Sequence, residues 1–169
     1  MPNTIPLTDG KHFAIVDSED HERIAQHKWE YQLNEGIEYA SRRFQINKKR
    51  TRILMHREVM GCVAGDGIII DHVSGVGLDN RNTNLRVADK SQQMWNTKLS
   101  KKNKSGVKGV CWYPQKNRWQ TWIMVRGKRK SLGNYKDFDE AVTVRRAAEK
   151  EHYGEFARLP EYLTKDLPK

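Results

Sequence analysis

The sequence predicts an α+β protein in two parts: a β-rich N-terminal part ending in a short capped helix, then a three-stranded antiparallel sheet backed by one helix. Three observations carry that expectation. Short runs of β-branched and aromatic residues, bounded by turn residues, recur on both sides of a polar, lysine-rich stretch at residues 97–104. Positive charge is concentrated in one segment: from Lys90 to Lys136 there are thirteen Lys or Arg and no Asp or Glu, against eighteen basic and twenty-one acidic residues elsewhere. With 37% hydrophobic residues in 169 and a mean hydropathy of −0.87, modest cores are expected rather than one large one.

In the first part, residues 13–16, 39–46 and 51–55 are strand-like. Arg42, Arg43, Lys48, Lys49, Arg50 and Arg52 cluster on the last two. They suit phosphate contact, or the charges with which edge strands resist aggregation. The apolar run Ile68-Ile69-Ile70 then ends in Asp71-His72, and a Gly/Asn-rich loop leads to Asn84-Leu85-Arg86. A carboxylate that can hold a hard divalent cation, beside an imidazole that can deprotonate water, is the chemistry of phosphodiester hydrolysis; an Asn further on can lock the loop. An isolated Asp-His pair is more often a turn contact. The functional reading rests on the whole ordered set, completed by Asp89 as the N-cap of a helix over residues 90–96 that aims Gln93.

Leu54-Met55-His56-Arg57-Glu58-Val59-Met60-Gly61, then Ile70-Asp71-His72, then residues 77–86, closely resemble the HNH family of endonucleases, more narrowly its small phage and mobile-intron (homing endonuclease-like) enzymes. The resemblance implies a ββα-metal unit with its core at residues 53–97, inside an N-terminal domain of residues 1–100. It implies Asp71 as a metal ligand, His72 as general base and Asn84 as the residue that fixes the loop and the imidazole. His56 falls near the active site, in phosphate contact or in packing of the hairpin. One divalent cation is implied, Mg²⁺ first and Mn²⁺ as the alternative. Its helix ligand falls at Gln93, where relatives usually carry His or Asn; the carbonyl oxygen suits Mg²⁺, on a side chain one methylene longer. Asn96 is the other candidate, about 300° around the helix. Arg57 and Arg86 are candidates to brace the substrate phosphate.

Beyond the lysine-rich stretch, residues 106–112, 119–126 and 129–135 read as three antiparallel strands, with a turn at Gln115-Lys116-Asn117 and a hairpin turn at Gly127-Lys128. Asp137 and Glu140 have capping-box spacing and open a helix whose small face carries Ala141, Val144, Ala147 and Ala148. On the central strand, alternation sends Trp119, Thr121, Ile123 and Val125 toward that helix and Gln120, Trp122, Met124 and Arg126 away from it. Ser105-Gly106-Val107-Lys108-Gly109-Val110, Lys116-Asn117-Arg118-Trp119, Leu132-Gly133-Asn134-Tyr135, Asp139-Glu140-Ala141 and Tyr153-Gly154-Glu155-Phe156-Ala157 look like the APETALA/ethylene-response-factor (ERF) DNA-binding domain, over residues 105–160. That resemblance implies a sheet that enters the major groove, with Lys108, Cys111, Tyr113, Trp122, Met124, Arg129 and Ser131 at contact positions. Arg126, Lys128 and Lys130 suit sequence-independent phosphate contacts.

The formal net charge of +10 suggests a polyanionic partner, aromatic residues threaded through the basic segment make it a folded basic surface, and the two resemblances imply that the partner is double-stranded DNA. No basic amphipathic helix or long apolar stretch supports a membrane role, and residues 1–10 lack a signal-peptide core. An intracellular, cytoplasmic protein of a bacterial host or phage-infected cell is expected. Cys62 and Cys111 support neither a structural zinc nor a disulfide framework. Together the resemblances imply a metal-dependent endonuclease or nickase acting on double-stranded DNA, monomeric and without an evident obligate protein partner. The alternative is a catalytically inactive, sequence-specific DNA-binding protein derived from such a nuclease, in which Gln93 no longer supports metal. An RNA-binding module is disfavoured, because the sheet lacks an aromatic ribonucleoprotein motif.

Overall fold

A computed structural model describes residues 3–158 apart from Lys98 and Lys101. The described chain is α+β and divides into two units, the first ending at Asp89 and the second beginning at Lys90. Leu159 and Pro160, the end of the expected C-terminal domain, lie outside the described residues.

In the first unit, β1 (Asn3–Pro6) and β2 (Phe13–Val16) form a hairpin, followed by α1 (Ser18–Ala25). Then β3 (Glu30–Asn34), β4 (Ile37–Ile46) and β5 (Lys49–Leu54) make an antiparallel meander, and α2 (Met55–Val59) leaves directly from β5. β6 (Ile69–His72) pairs antiparallel with β7 (Leu85–Ala88). Alternation along the hairpin sends Ile5, Leu7, Ala14 and Val16 inward, where they meet Ile24, Trp29, Ala40 and Met55 in one core. Trp29 is fully buried and satisfies its indole N–H by donating to the Ile24 carbonyl at 2.9 Å. β2, β4 and β5 match expectation, except that Met55 starts a helix instead of closing a strand.

The loop over residues 73–84 is held as if it were another strand. Ile15 donates its N–H to the Leu78 carbonyl at 2.8 Å, and Asn80 donates to the Ile15 carbonyl at 2.7 Å. Gly77 approaches β4 so closely that a Cβ there would fall 2.3 Å from the Glu38 carbonyl oxygen and 2.9 Å from the Tyr39 ring. No larger residue fits without moving backbone.

The second unit opens with α3 (Lys90–Trp95), continues with β8 (Val110–Tyr113), β9 (Arg118–Val125) and β10 (Lys128–Tyr135), and ends with α4 (Phe138–Tyr153). The sheet is antiparallel with β9 central. Thr121 and Ile123 are fully buried, as alternation requires, and Ala141 and Ala148 supply the small buried face of α4. Asp137 caps α4, its carboxylate accepting from Glu140 N–H at 2.8 Å. The first strand begins later than expected, because Gly106 and Gly109 take φ values of +78° and +69°, which break the extended chain. The hairpin turn falls one residue early, on Arg126 and Gly127. Among the described residues no helix is long and apolar enough to cross a membrane.

Candidate active site and nucleic-acid interface

Asp71 and His72 end β6, where the register sets Asp71 opposite Arg86 and His72 opposite Leu85. Arg86 donates to Asp71 Oδ2 from Nη2 at 2.8 Å and from Nε at 3.1 Å, with both side chains nearly buried. Removing either partner would strand the other's charge in a poorly solvated place. Arg86, expected at the substrate phosphate, is here engaged with the carboxylate.

The His72 ring meets His56 of α2 edge-on, with centroids 4.8 Å apart and planes at 89°. Tyr39 of β4 closes the group, its ring centroid 5.8 Å from His56 and 6.0 Å from His72. Burial drives His56 down to about 3, helped by His72 and Arg57 nearby. Burial also lowers His72, against the opposing pull of a hydrogen bond with Asn80 and of the Asp71 and Asp79 carboxylates. Both imidazoles are therefore neutral at neutral pH, the form that can accept a proton.

Asn84 ties the loop across its width. Its side-chain oxygen accepts from Ser74 N–H at 2.9 Å, its nitrogen donates to the Asp79 carbonyl at 2.7 Å, and its own carbonyl accepts from Val73 N–H at 2.9 Å. Asp79, only 1% exposed, takes both Arg81 Nε and Nη2, at 2.7 and 2.5 Å. Arg57 spends its guanidinium on the preceding loop, donating to the Val63 carbonyl at 2.8 Å and also to the Ile68 carbonyl and the Asp66 carboxylate. Near α1, Asp17, Glu19 and Asp20 gather three carboxylates, and Asn82 donates to each of them. Gln93 stands exposed on α3, in the second unit, and Asn96 just beyond that helix is buried. The buried Asp71 carboxylate is a hard donor that suits a Mg²⁺-class ion, and the neutral histidines beside it do not repel one.

On the face of the second unit's sheet away from α4, Arg129 lies over the Trp122 ring at 4.5 Å and donates to Gln120 at 3.2 Å. Lys116 stands over Tyr113 at 5.7 Å. Met124 is half-buried there, and Cys111, Arg126 and Ser131 are exposed. Other expected contact residues turn elsewhere. Lys108 donates to the Trp95 carbonyl at 3.3 Å and to the Thr97 hydroxyl at 2.9 Å. Burial, with Arg158 and Arg145 close by, pushes its ammonium down to about 8. Lys130 points toward α4, its Nζ 3.2 Å from His152 Nε2, and alternation puts the exposed Lys128 on that same side.

The structure thus brings together Asp71, His72, Asn84, Arg86 and His56 in the first unit, and Tyr113, Trp122, Met124 and Arg129 on one face in the second. Tyr39, Asp79 and Asn80 were missed in the sequence. The Asp79-Asn80 dipeptide inside the loop was a usable signal; Tyr39 offered none beyond its place on a strand.

Fold and site define an α+β protein with a buried Asp-His-His cluster, and it has viral relatives. It is 34% identical over 93 residues to protein 3.8 of Escherichia phage T7, a match covering 55% of this chain and 76% of the phage protein, and the chain belongs to that protein's family. It is also 26% identical over 147 residues to a protein of Acanthamoeba polyphaga mimivirus named as an uncharacterized HNH endonuclease, covering 86% of this chain and 73% of the mimivirus protein. No family model matches the chain, and no solved structure matches it.

Proposed function

We propose that this chain is a metal-dependent, homing endonuclease-like HNH enzyme that hydrolyses phosphodiester bonds of double-stranded DNA. The observation that carries the reading is a buried, neutral imidazole, His72, directly following an ion-paired carboxylate, Asp71, with the next loop tied across by Asn84. Similarity to a viral protein named as an HNH endonuclease supports it. Residues 1–100 then form the nuclease domain, and residues 105–160 an APETALA/ERF-type domain that supplies affinity and register.

His72 takes a proton from the water that attacks the phosphorus in line with the departing 3′ oxygen. Asn84 and Asn80 keep the loop and the ring in place, while Arg86 orients Asp71. Asp71 would hold one divalent cation, Mg²⁺ by preference, which would supply charge stabilisation at the phosphoryl oxygens and the leaving group. The products carry 5′-phosphate and 3′-hydroxyl ends. Tyr113, Trp122, Met124 and Arg129 meet the bases, and Arg126 the backbone. One copy of each motif favours a monomer that cuts one strand per binding event.

The test is plasmid cleavage with and without Mg²⁺ or Mn²⁺, by the native chain and by His72→Ala. The substitution should lower cleavage about 10²–10⁴-fold with the DNA Kd within about twofold of native. Equal loss of binding and cleavage rejects His72 as the base. Binding without cleavage in either metal selects the inactive derivative instead.

A further inference from the structure

The β4–β5 hairpin carries charge that this mechanism does not use. From Tyr39 to Leu54 there are six Lys or Arg and no Asp or Glu. The register sets Arg43 directly opposite Arg52, and Gln45 opposite Arg50, on one face of the sheet. Like charges placed opposite one another weaken strand pairing. Glu30 meets Arg43 at 3.1 Å and Gln32 meets Arg52 at 3.3 Å, so Arg43, Arg50 and Arg52 against Glu30 leave the face net positive. Lys48, Lys49, Arg50 and Arg52 are all exposed.

The tip adds an independent observation. Asn47 and Lys48 have φ of +48° and +65°, as the two central residues of a type I′ turn must. The second of these positions favours glycine, and a lysine there is strained. A cation stands where the backbone would prefer no side chain.

The same face leads back to the active site. Residues 39, 41, 43 and 45 alternate to one side of β4, and Tyr39 is the residue whose ring packs on His56 and His72. At roughly 3.3 Å per residue, Arg43 stands ~13 Å and the tip ~26 Å along the strand from Tyr39. With ~3.4 Å of helix axis per nucleotide, that places the row about four to eight nucleotides from the scissile bond.

We infer that Arg43, Lys48, Arg50 and Arg52 form a phosphate track that grips duplex DNA to one side of the cleavage point, separately from the C-terminal sheet. The inference rests on the nuclease reading above. The contacts are to backbone, so they add affinity and register without reading sequence.

The test uses the full chain on a His72→Ala background with Mg²⁺ present, titrated against a 5′-labelled duplex at several salt concentrations. Arg50→Gln with Arg52→Gln should make the slope of log K against log salt shallower by about 2, and Lys48→Gly by about 1, equally on all DNA sequences. Lys48→Gly also relieves the strained turn, so it should melt no lower than its parent, which keeps the test valid if the double variant misfolds. Unchanged slopes in variants of a chain that binds and, with His72 intact, cuts DNA overturn the track and leave the nuclease standing; the charges would then serve only as edge protection. A parent chain that neither binds nor cuts DNA overturns both.

Discussion

His56, Asp71, His72, Asp79, Asn80 and Asn84 are each at most 8% exposed in the first unit, whereas the second unit puts Trp122, Arg129 and Lys116 on the open face of its sheet. The second unit's buried charges, Arg145 and Glu149, pair with each other at 3.1 Å on α4 and serve the fold. On the proposed function, the contrast separates two kinds of work. A base that must stay neutral and a carboxylate whose charge must be felt strongly both need water kept away. Contacts to DNA need the opposite, because phosphates and base edges must reach the side chains.

The two units also differ in where a single methyl group would do most harm, and this gives the largest expected effects. Gly109 has φ of +69°, and a Cβ there would fall 2.2 Å from the Trp122 carbonyl oxygen. Gly109→Ala and Gly77→Ala should each cost at least about 3 kcal/mol, each in its own unit. Trp29 is the first unit's tryptophan and the other four lie in the second, so fluorescence melts with selective Trp→Phe backgrounds report the two transitions separately. A single shared shift would break the comparison.

Next in size is Asn84→Ala, which leaves the Ser74 N–H and the Asp79 carbonyl without their buried partner. About 2–3 kcal/mol should go from the first unit, read by chemical denaturation, with the second unit unmoved.

Titration separates the units again, at opposite ends of the pH scale. His56 falls from 6.5 to about 3 and His72 shifts the same way, so below pH 6.5 the unfolded chain binds more protons than the folded one. The first unit's stability is complete above pH 6.5 and declines as pH falls toward 3, by up to about 1.4 kcal/mol per pH unit for each histidine. His56→Gln should flatten that slope. Lys108, lowered to about 8 from 10.5, makes the second unit gain stability as pH rises between those values, and Lys108→Met should remove the gain. The smallest effect expected is Arg129→Ala, which should weaken DNA binding by roughly two- to fivefold with no change in melting.

Much of the fold was legible because its signals are local. Alternation found β4, β5 and β9, and the spacing of Asp137 and Glu140 found the start of α4. β1, α1 and β3 escaped, since short polar segments such as Ser18–Ala25 acquire their structure from packing Ile24 into a distant core. The late start of β8 depends on Gly109 passing close to Trp122 and Arg145, which no local pattern encodes. At the candidate site the same division holds. The clustering of Asp71, His72 and Asn84 followed from spacing along one hairpin. The engagement of Arg57 with residues 63–68, of Arg86 with Asp71 and of Lys108 with the Trp95 carbonyl and the Thr97 hydroxyl depends on which acceptors come within reach after folding, and a bare arginine or lysine in the sequence says nothing of that.

The grip of Ile15 on Leu78 and Asn80 bears on how the site could be moved to another protein. A graft cut at residue 53 would carry Asp71, His72 and Asn84 yet leave that backbone donor and acceptor to solvent, so its loop should exchange amide deuterium quickly. The smallest transplantable version begins with the N-terminal hairpin.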